Sequence, residues 1–103
     1  MSSPPKPTSL SADAQEDYIN IIAYTKMRWG NKQAAKYDRI FHRAMDLISI
    51  EPGYGRPFQT GGNHFYSYLA GSHRFVYQID TSQIRVIRIL HQSMDLGRHL
   101  PSA

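Results

Sequence analysis

The chain changes its hydrophobic period once, and that change limits the folds open to it. Between Ser11 and Glu51 apolar residues recur every three or four positions, whereas from Phe65 to His91 they alternate or run together with β-branched and aromatic neighbours. The first pattern lays a stripe along a helix; the second covers the faces of strands. Ser11 offers a hydroxyl N-cap and Asp13 a carboxylate in the first turn, where the helix dipole favours it. Ala14, Tyr18, Ile21, Ile22, Thr25 and Trp29 share one face, and Gly30 suits a left-handed helix end. Asn31 is placed to cap a second helix whose stripe is Ala34, Tyr37, Phe41, Ala44, Met45 and Ile48. Glu51-Pro52 closes it, because a residue before proline is pushed out of the helical region. One short turn between two such helices predicts an antiparallel hairpin, with Trp29 and Phe41 in the core.

Gly53 to His64 reads as a loop, with Gly61-Gly62 its flexible part. Beyond it, Phe65–Ala70, His73–Ile79 and Gln83–His91 read as a three-stranded antiparallel meander, separated by Gly71-Ser72 and by Asp80-Thr81-Ser82. The last strand is apolar on both alternating sets, Ile84, Val86 and Leu90 against Ile87 and Ile89, which suits a central or doubly covered strand. Thr8–Leu10 adds a short edge strand. The helical stripes must be buried against one face of this sheet. The fold class is therefore α+β, an N-terminal antiparallel helical hairpin packed on a small antiparallel sheet. A chain of 103 residues fits one domain, here residues 8–103 behind a flexible, proline-rich arm at residues 1–7.

Several chemistries are excluded by what is missing. There is no cysteine, hence no disulfide framework and no thiolate metal site. Neither a secretory leader nor an apolar run of membrane-spanning length is present, so a cytoplasmic location is expected. His64, His73 and His99 are scattered without a helical pair or carboxylate companions, which argues against zinc. No phosphate-binding glycine motif or nucleophile elbow occurs, and no cofactor is implied. The net charge of +4 suits nucleic acid and an acidic protein equally. Lys32, Lys36, Arg39 and Arg43 line one face of the second helix. They are read as a solvated surface, because a helix needs polar residues opposite its apolar stripe and Asp38 and Asp46 dilute the charge.

Two readings remain for the polar residues of the strands. Arg74 either faces solvent or clamps an anion, while Arg88, deeper in an apolar strand, calls for a partner and is better read as half of an ion pair. RNA cleavage needs a base, an acid and cations for the phosphorane charge; the sequence offers His91, Arg74, Arg88 and Tyr66 or Tyr68 for these roles, and no spacing forces them together. Alternatively Tyr66, Tyr68 and Tyr77 floor a groove of the amphipathic kind that protein partners favour.

The strings "LSADAQEDYINIIAYT", "RWG", "EPGYGRP" with its P-x-x-G-R pattern at Pro52–Arg56, "HRFVYQI" and "LHQSMDLGRHL" occur in this order. From about Leu10 to Leu100 the chain thereby resembles the ParE family of the RelE/ParE toxin superfamily. The resemblance implies the toxin of a type II toxin–antitoxin system that inhibits DNA gyrase by protein binding. It also implies a ParD-type antitoxin with a ribbon-helix-helix end and a disordered segment that wraps the toxin, operator DNA being reached only through the antitoxin, and no membrane. The RelE branch cleaves mRNA on the ribosome with a basic cluster. Here Gln92, Ser93, Met94 and Asp95 stand where further basic residues would be, and no tyrosine follows Tyr77.

The expected reading is therefore non-enzymatic. Antitoxin contacts are expected at Tyr18, Ile22, Trp29, Tyr66, Arg74 and Tyr77. Gyrase contacts are expected at His91, Met94, Asp95 and Arg98. The alternative is a ribosome-dependent mRNA interferase using Arg74, Arg88 and His91.

Overall fold

A computed structural model describes residues 5–101. Strand β1 (Thr8–Leu10) leads into helices α1 (Ala12–Trp29) and α2 (Asn31–Ile50), then a 3-10 turn at Pro52–Tyr54. Strands β2 (Arg56–Thr60), β3 (Asn63–Ala70), β4 (His73–Ile79) and β5 (Ile84–His91) follow, and a short helix α3 (Leu96–His99) closes the chain. The α+β class holds. The sheet is larger than the meander expected: five strands in the order β1-β5-β4-β3-β2. It is mixed, because β1 runs parallel to β5 while all other pairings are antiparallel.

The segment expected to be a loop, Gly53–His64, contains β2. Its only strong strand formers are Phe58 and Thr60, and Pro57 argues against a central strand but not against an edge. Gly61 and Gly62 both have positive φ (58° and 80°). They form a two-residue hairpin turn whose backbone requires that region, rather than a flexible element.

Ser11 caps α1 as expected, accepting from Ala14 N at 3.0 Å. Gly30, with φ 94°, ends α1 and also precedes α2. Asn31 is thus the first residue inside α2, not its cap, and α2 has no side-chain cap there. At the N-terminus the arm is tied down from Lys6 onward: Lys6 N–H donates to Ser49 O at 3.1 Å and Ile84 N–H to Pro7 O at 2.9 Å. Residues 1–4 of the expected arm lie outside the described residues.

Phe41 stands at the centre of the core, fully buried, edge-to-face with Phe75 at 5.1 Å and with Tyr37 and Tyr18 at 5.7 and 5.8 Å. Burying such a ring contributes roughly 1.5–3 kcal/mol. Trp29, also expected in the core, is 65% exposed. It falls on the last turn of α1, beyond the reach of the sheet. The second sheet face is covered by the C-terminal segment, where Leu96 and Leu100 pack with Phe58, Phe65, Val76 and Ile87.

A β-bulge in β5 corrects the assignment of its faces. Val76 pairs with Arg88 and Tyr77 with Val86, so Ile87 is an extra residue. Past the bulge the alternation is reversed. Ile89 joins Ile84 and Val86 on the helix side, and Leu90 pairs with Arg74 on the other.

A cleft between helix hairpin and sheet as the candidate binding site

Between α1, the start of α2 and the C-terminal half of β5 lies an open cleft of about 400 Å³. Asp17, Asn20, Ile21, Tyr24, Thr25 and Trp29 of α1 form one wall, Tyr37 of α2 contributes at one end, and Ser72, His73, Arg88, Ile89, Leu90, His91 and Met94 line the sheet side. The α1 wall follows from i, i+3, i+4, i+7 spacing at Asp17, Asn20, Ile21 and Tyr24, a stripe beside the core-facing one. At the rim Tyr24, Trp29 and Met94 are 59%, 65% and 46% exposed, and the Arg28 guanidinium lies over the Trp29 ring at 5.2 Å. Large apolar side chains left in water around a concave surface are the signature of a protein-binding site.

The floor is set by the bulge. His91 pairs with His73 across β4 and β5, and their rings meet edge-to-face at 5.3 Å. His91 Nδ1 accepts from Ser93 N–H at 3.1 Å, with Ser93 Oγ 2.7 Å away, which leaves the proton of the neutral ring on Nε2. His73 packs against Tyr37 and Phe41, and its Nδ1 is buried with no partner among the described residues. Burial, and then the proximity of His91, holds its pKa below the ordinary 6.5.

Arg88 stands at the open edge of β5 as half of an ion pair. Its Nε and Nη2 donate to the two oxygens of Asp17 at 2.7 and 3.0 Å, and Nη1 donates to His99 O at 3.1 Å. Asp17 also accepts from Ile89 N–H at 3.0 Å. Hydrogen bonding to Asp17 raises the Arg88 pKa further, against the opposing effect of burial.

The residues named from sequence scatter. Among the antitoxin set only Trp29 lines the cleft. Tyr18 bridges the helices, bonded to Asp38 and His42 of α2, and Ile22 is half-buried outside the cleft. Tyr66 stacks on Tyr77 at 5.5 Å. Tyr77 itself is fully buried; its hydroxyl donates to Pro52 O at 2.6 Å and accepts from Gly55 N–H at 3.0 Å. It cannot line a surface groove, and β-period alone gave no means of telling which tyrosine turns inward. Arg74 alternates with the core residue Phe75 and so occupies the opposite sheet face, its Nη1 3.5 Å from Ser67 Oγ. Of the second set, His91 and Met94 share the cleft with Trp29. Asp95 caps α3 and pairs with Arg98 at 3.7 Å in solvent. Of Arg74, Arg88 and His91, grouped for RNA cleavage, Arg88 and His91 both line the cleft, while Arg74 lies on the opposite sheet face.

A family model described as the ParE toxin of the type II toxin-antitoxin system, parDE, matches residues 9–96. Toxin ParE1 of Caulobacter vibrioides is 36% identical over 95 residues, covering 92% of this chain and 98% of that protein. Toxin ParE1 of Mycobacterium tuberculosis is 36% identical over 92 residues, covering 88% and 94%. Two solved structures share the fold at low identity. A chain of the chromosomal ParDE system from P. aeruginosa superposes with a TM-score of 0.73 at 15% identity, covering 86% of this chain and 98% of that one. A chain of the RelBE2 toxin–antitoxin complex of M. tuberculosis gives 0.65 at 18% identity, covering 91% and 100%. With its helical hairpin, five-stranded sheet and open cleft, this chain belongs to the ParE toxin family of type II toxin–antitoxin systems, within the RelE/ParE superfamily.

Proposed function

We propose that this toxin acts in the cytoplasm as a non-enzymatic inhibitor of DNA gyrase, and that a ParD-type antitoxin silences it by folding across the cleft. The observation that carries the reading is the cleft rim, where Trp29, Tyr24 and Met94 remain in water beside His91. Exposed aromatic and methionine side chains around a concavity are what a partner desolvates to gain affinity. The cations beside it favour binding over bond cleavage. Arg88 shares the cleft with His91, but its guanidinium is engaged by Asp17 and by His99 O, and Arg74 is on the far face, so neither offers a free cation to a phosphorane near His91.

Antitoxin and gyrase would then share ground. His91 and Met94, with Asp95 and Arg98 beyond them, form the gyrase surface. Trp29, which lines the same cleft as Met94, anchors the antitoxin, with Tyr18, Ile22, Tyr66 and Arg74 at most peripheral to it. An antitoxin segment disordered when free gives up ordering entropy on binding and needs an apolar groove of this kind to offset it. Neutralisation is by direct competition for the rim, and operator DNA is reached through the antitoxin's ribbon-helix-helix end.

The test is the purified chain with gyrase and relaxed or supercoiled plasmid. Loss of supercoiling or trapped cleavage complexes, reversed by the antitoxin, is the expected result. Ribosome-dependent mRNA cleavage lost in Arg74→Ala and His91→Ala, with gyrase unaffected, would establish the interferase reading instead.

A further inference from the structure

The solvent face of α2 carries Lys32, Lys36, Arg39 and Arg43, all exposed. At helical geometry they fall within about 60° of arc and span about 16 Å along the axis. The core residues Phe41, Ala44 and Ile48 lie on the opposite side of the same helix. None of the four makes an ion pair or a side-chain hydrogen bond among the described residues. Among the described residues Arg88 and Arg98 are the only Lys or Arg side chains in ion pairs, with Asp17 and Asp95; what sets the four apart is their alignment on one helix face.

From sequence the stripe reads as diluted by Asp38 and Asp46. The fold removes most of that dilution. Asp38 sits about 100° round the helix from the stripe, turned toward α1, where Tyr18 donates to it and His42 lies 3.4 Å away. Only Asp46, beyond the last cation, remains beside the track. The stripe thus gathers four positive charges, a third of the chain's twelve Lys and Arg residues, against one neighbouring carboxylate.

We infer that this face of α2 binds the phosphate backbone of double-stranded DNA, without reading sequence. Successive cations are separated by axial rises of about 6, 4.5 and 6 Å, within reach of neighbouring phosphates along one strand. The track is straight and rigid, as a duplex backbone is. No aromatic ring stands within the stripe to stack an unpaired base, as single-strand binders require. Nor does it have the apolar centre expected of a protein interface. The cleft opens between α1 and the sheet, away from this face, so both surfaces can be occupied together. The inference stands apart from the gyrase reading and adds a DNA contact made by the toxin itself.

The experiment is fluorescence anisotropy of the full chain with a labelled 25-base-pair duplex of arbitrary sequence, titrated across salt without gyrase or antitoxin. Four phosphate contacts predict a slope of log K against log salt of about −3.6, a roughly hundredfold loss between 50 and 200 mM. Replacing Lys32, Lys36, Arg39 and Arg43 together by glutamine is expected to lower affinity more than tenfold and to flatten the slope, while circular dichroism shows the helices retained. Replacing Lys26, Arg56 and Arg85 by glutamine removes exposed charge elsewhere and is expected to change affinity less than threefold. No binding at 50 mM salt would overturn the inference. So would an equal loss in the two variants, or equally tight binding of single-stranded DNA or polyglutamate.

Discussion

The carboxylate of Asp17 in α1 grips the guanidinium of Arg88 in β5 with two hydrogen bonds of 2.7 and 3.0 Å, and takes the Ile89 N–H at 3.0 Å besides. β1 covers only Ile84–Val86 of β5, so the rest of that edge would expose backbone groups. The first turns of α1 satisfy them: Ser11 N–H donates to Val86 O and Ser11 Oγ to Ile87 O, and Asp17 accepts the next. One side chain therefore closes the sheet edge, docks the helix and engages Arg88 in the wall of the cleft.

Asp17→Ala should lower stability by about 2–3 kcal/mol, because it leaves a half-buried cation with only the His99 carbonyl and a strand N–H with no partner. Arg88→Met, which keeps the packing of the stem and leaves Asp17 bonded to Ile89, should lose less. Urea unfolding midpoints with unchanged m-values would measure both. Equal losses would mean that the edge N–H contributes nothing.

Tyr77 and Gly55 should behave as one unit. Tyr77→Phe leaves the Gly55 N–H and Pro52 carbonyl without their partner, for a loss of about 1–3 kcal/mol. A Cβ at Gly55 would overlap the Tyr77 hydroxyl, so Gly55→Ala should destabilise strongly in the natural chain and less in the Tyr77→Phe background. Thermal melts of the double-mutant cycle would read this coupling directly. The glycine of the P-x-x-G-R pattern is thus explained by close approach, its φ of −73° being ordinary.

Mild acid should loosen the fold through His73. Its pKa is lowered in the folded chain by burial and by His91, so between 6.5 and that lower value the unfolded chain binds the more protons and stability rises with pH. The contribution is intact above 6.5, and its loss is complete once pH has fallen through the folded value. The slope from this one group cannot exceed about 1.4 kcal/mol per pH unit. Melting temperatures from pH 7.5 to 5 should fall less steeply in His73→Leu than in the natural chain. Parallel curves would remove His73 from the account.

Trp29→Ala should separate binding from stability. With the ring 65% exposed, unfolding free energy should move by less than about 0.5 kcal/mol. Affinity for the antitoxin should drop more than tenfold, as expected for an aromatic anchor. Calorimetry of the variant against a ParD-type antitoxin gives both the affinity and its heat-capacity change. Unaltered affinity would place the antitoxin elsewhere.

Much of the architecture was legible in residue order alone. Spacing fixes two amphipathic helices, Ser11 and Glu51-Pro52 mark two of their ends, and β4 is bounded by the residues that alternation predicts. These are local signals, set by how each stretch satisfies its own backbone and buries one face. The family is carried by a match that spans residues 9–96. Tertiary structure decided the rest. Trp29 repeats the core spacing of Tyr18 and Thr25, yet projects past the sheet, and nothing within α1 records where the sheet stops. The bulge at Ile87 turns His91 toward the helices and Leu90 away, which no period-two count anticipates. Asp17 and Arg88 lie 71 residues apart in the chain, and only the docking of α1 along β5 makes one the other's counter-ion. A surface assembled from separate elements depends on relative placement, and placement is settled by packing across the whole chain.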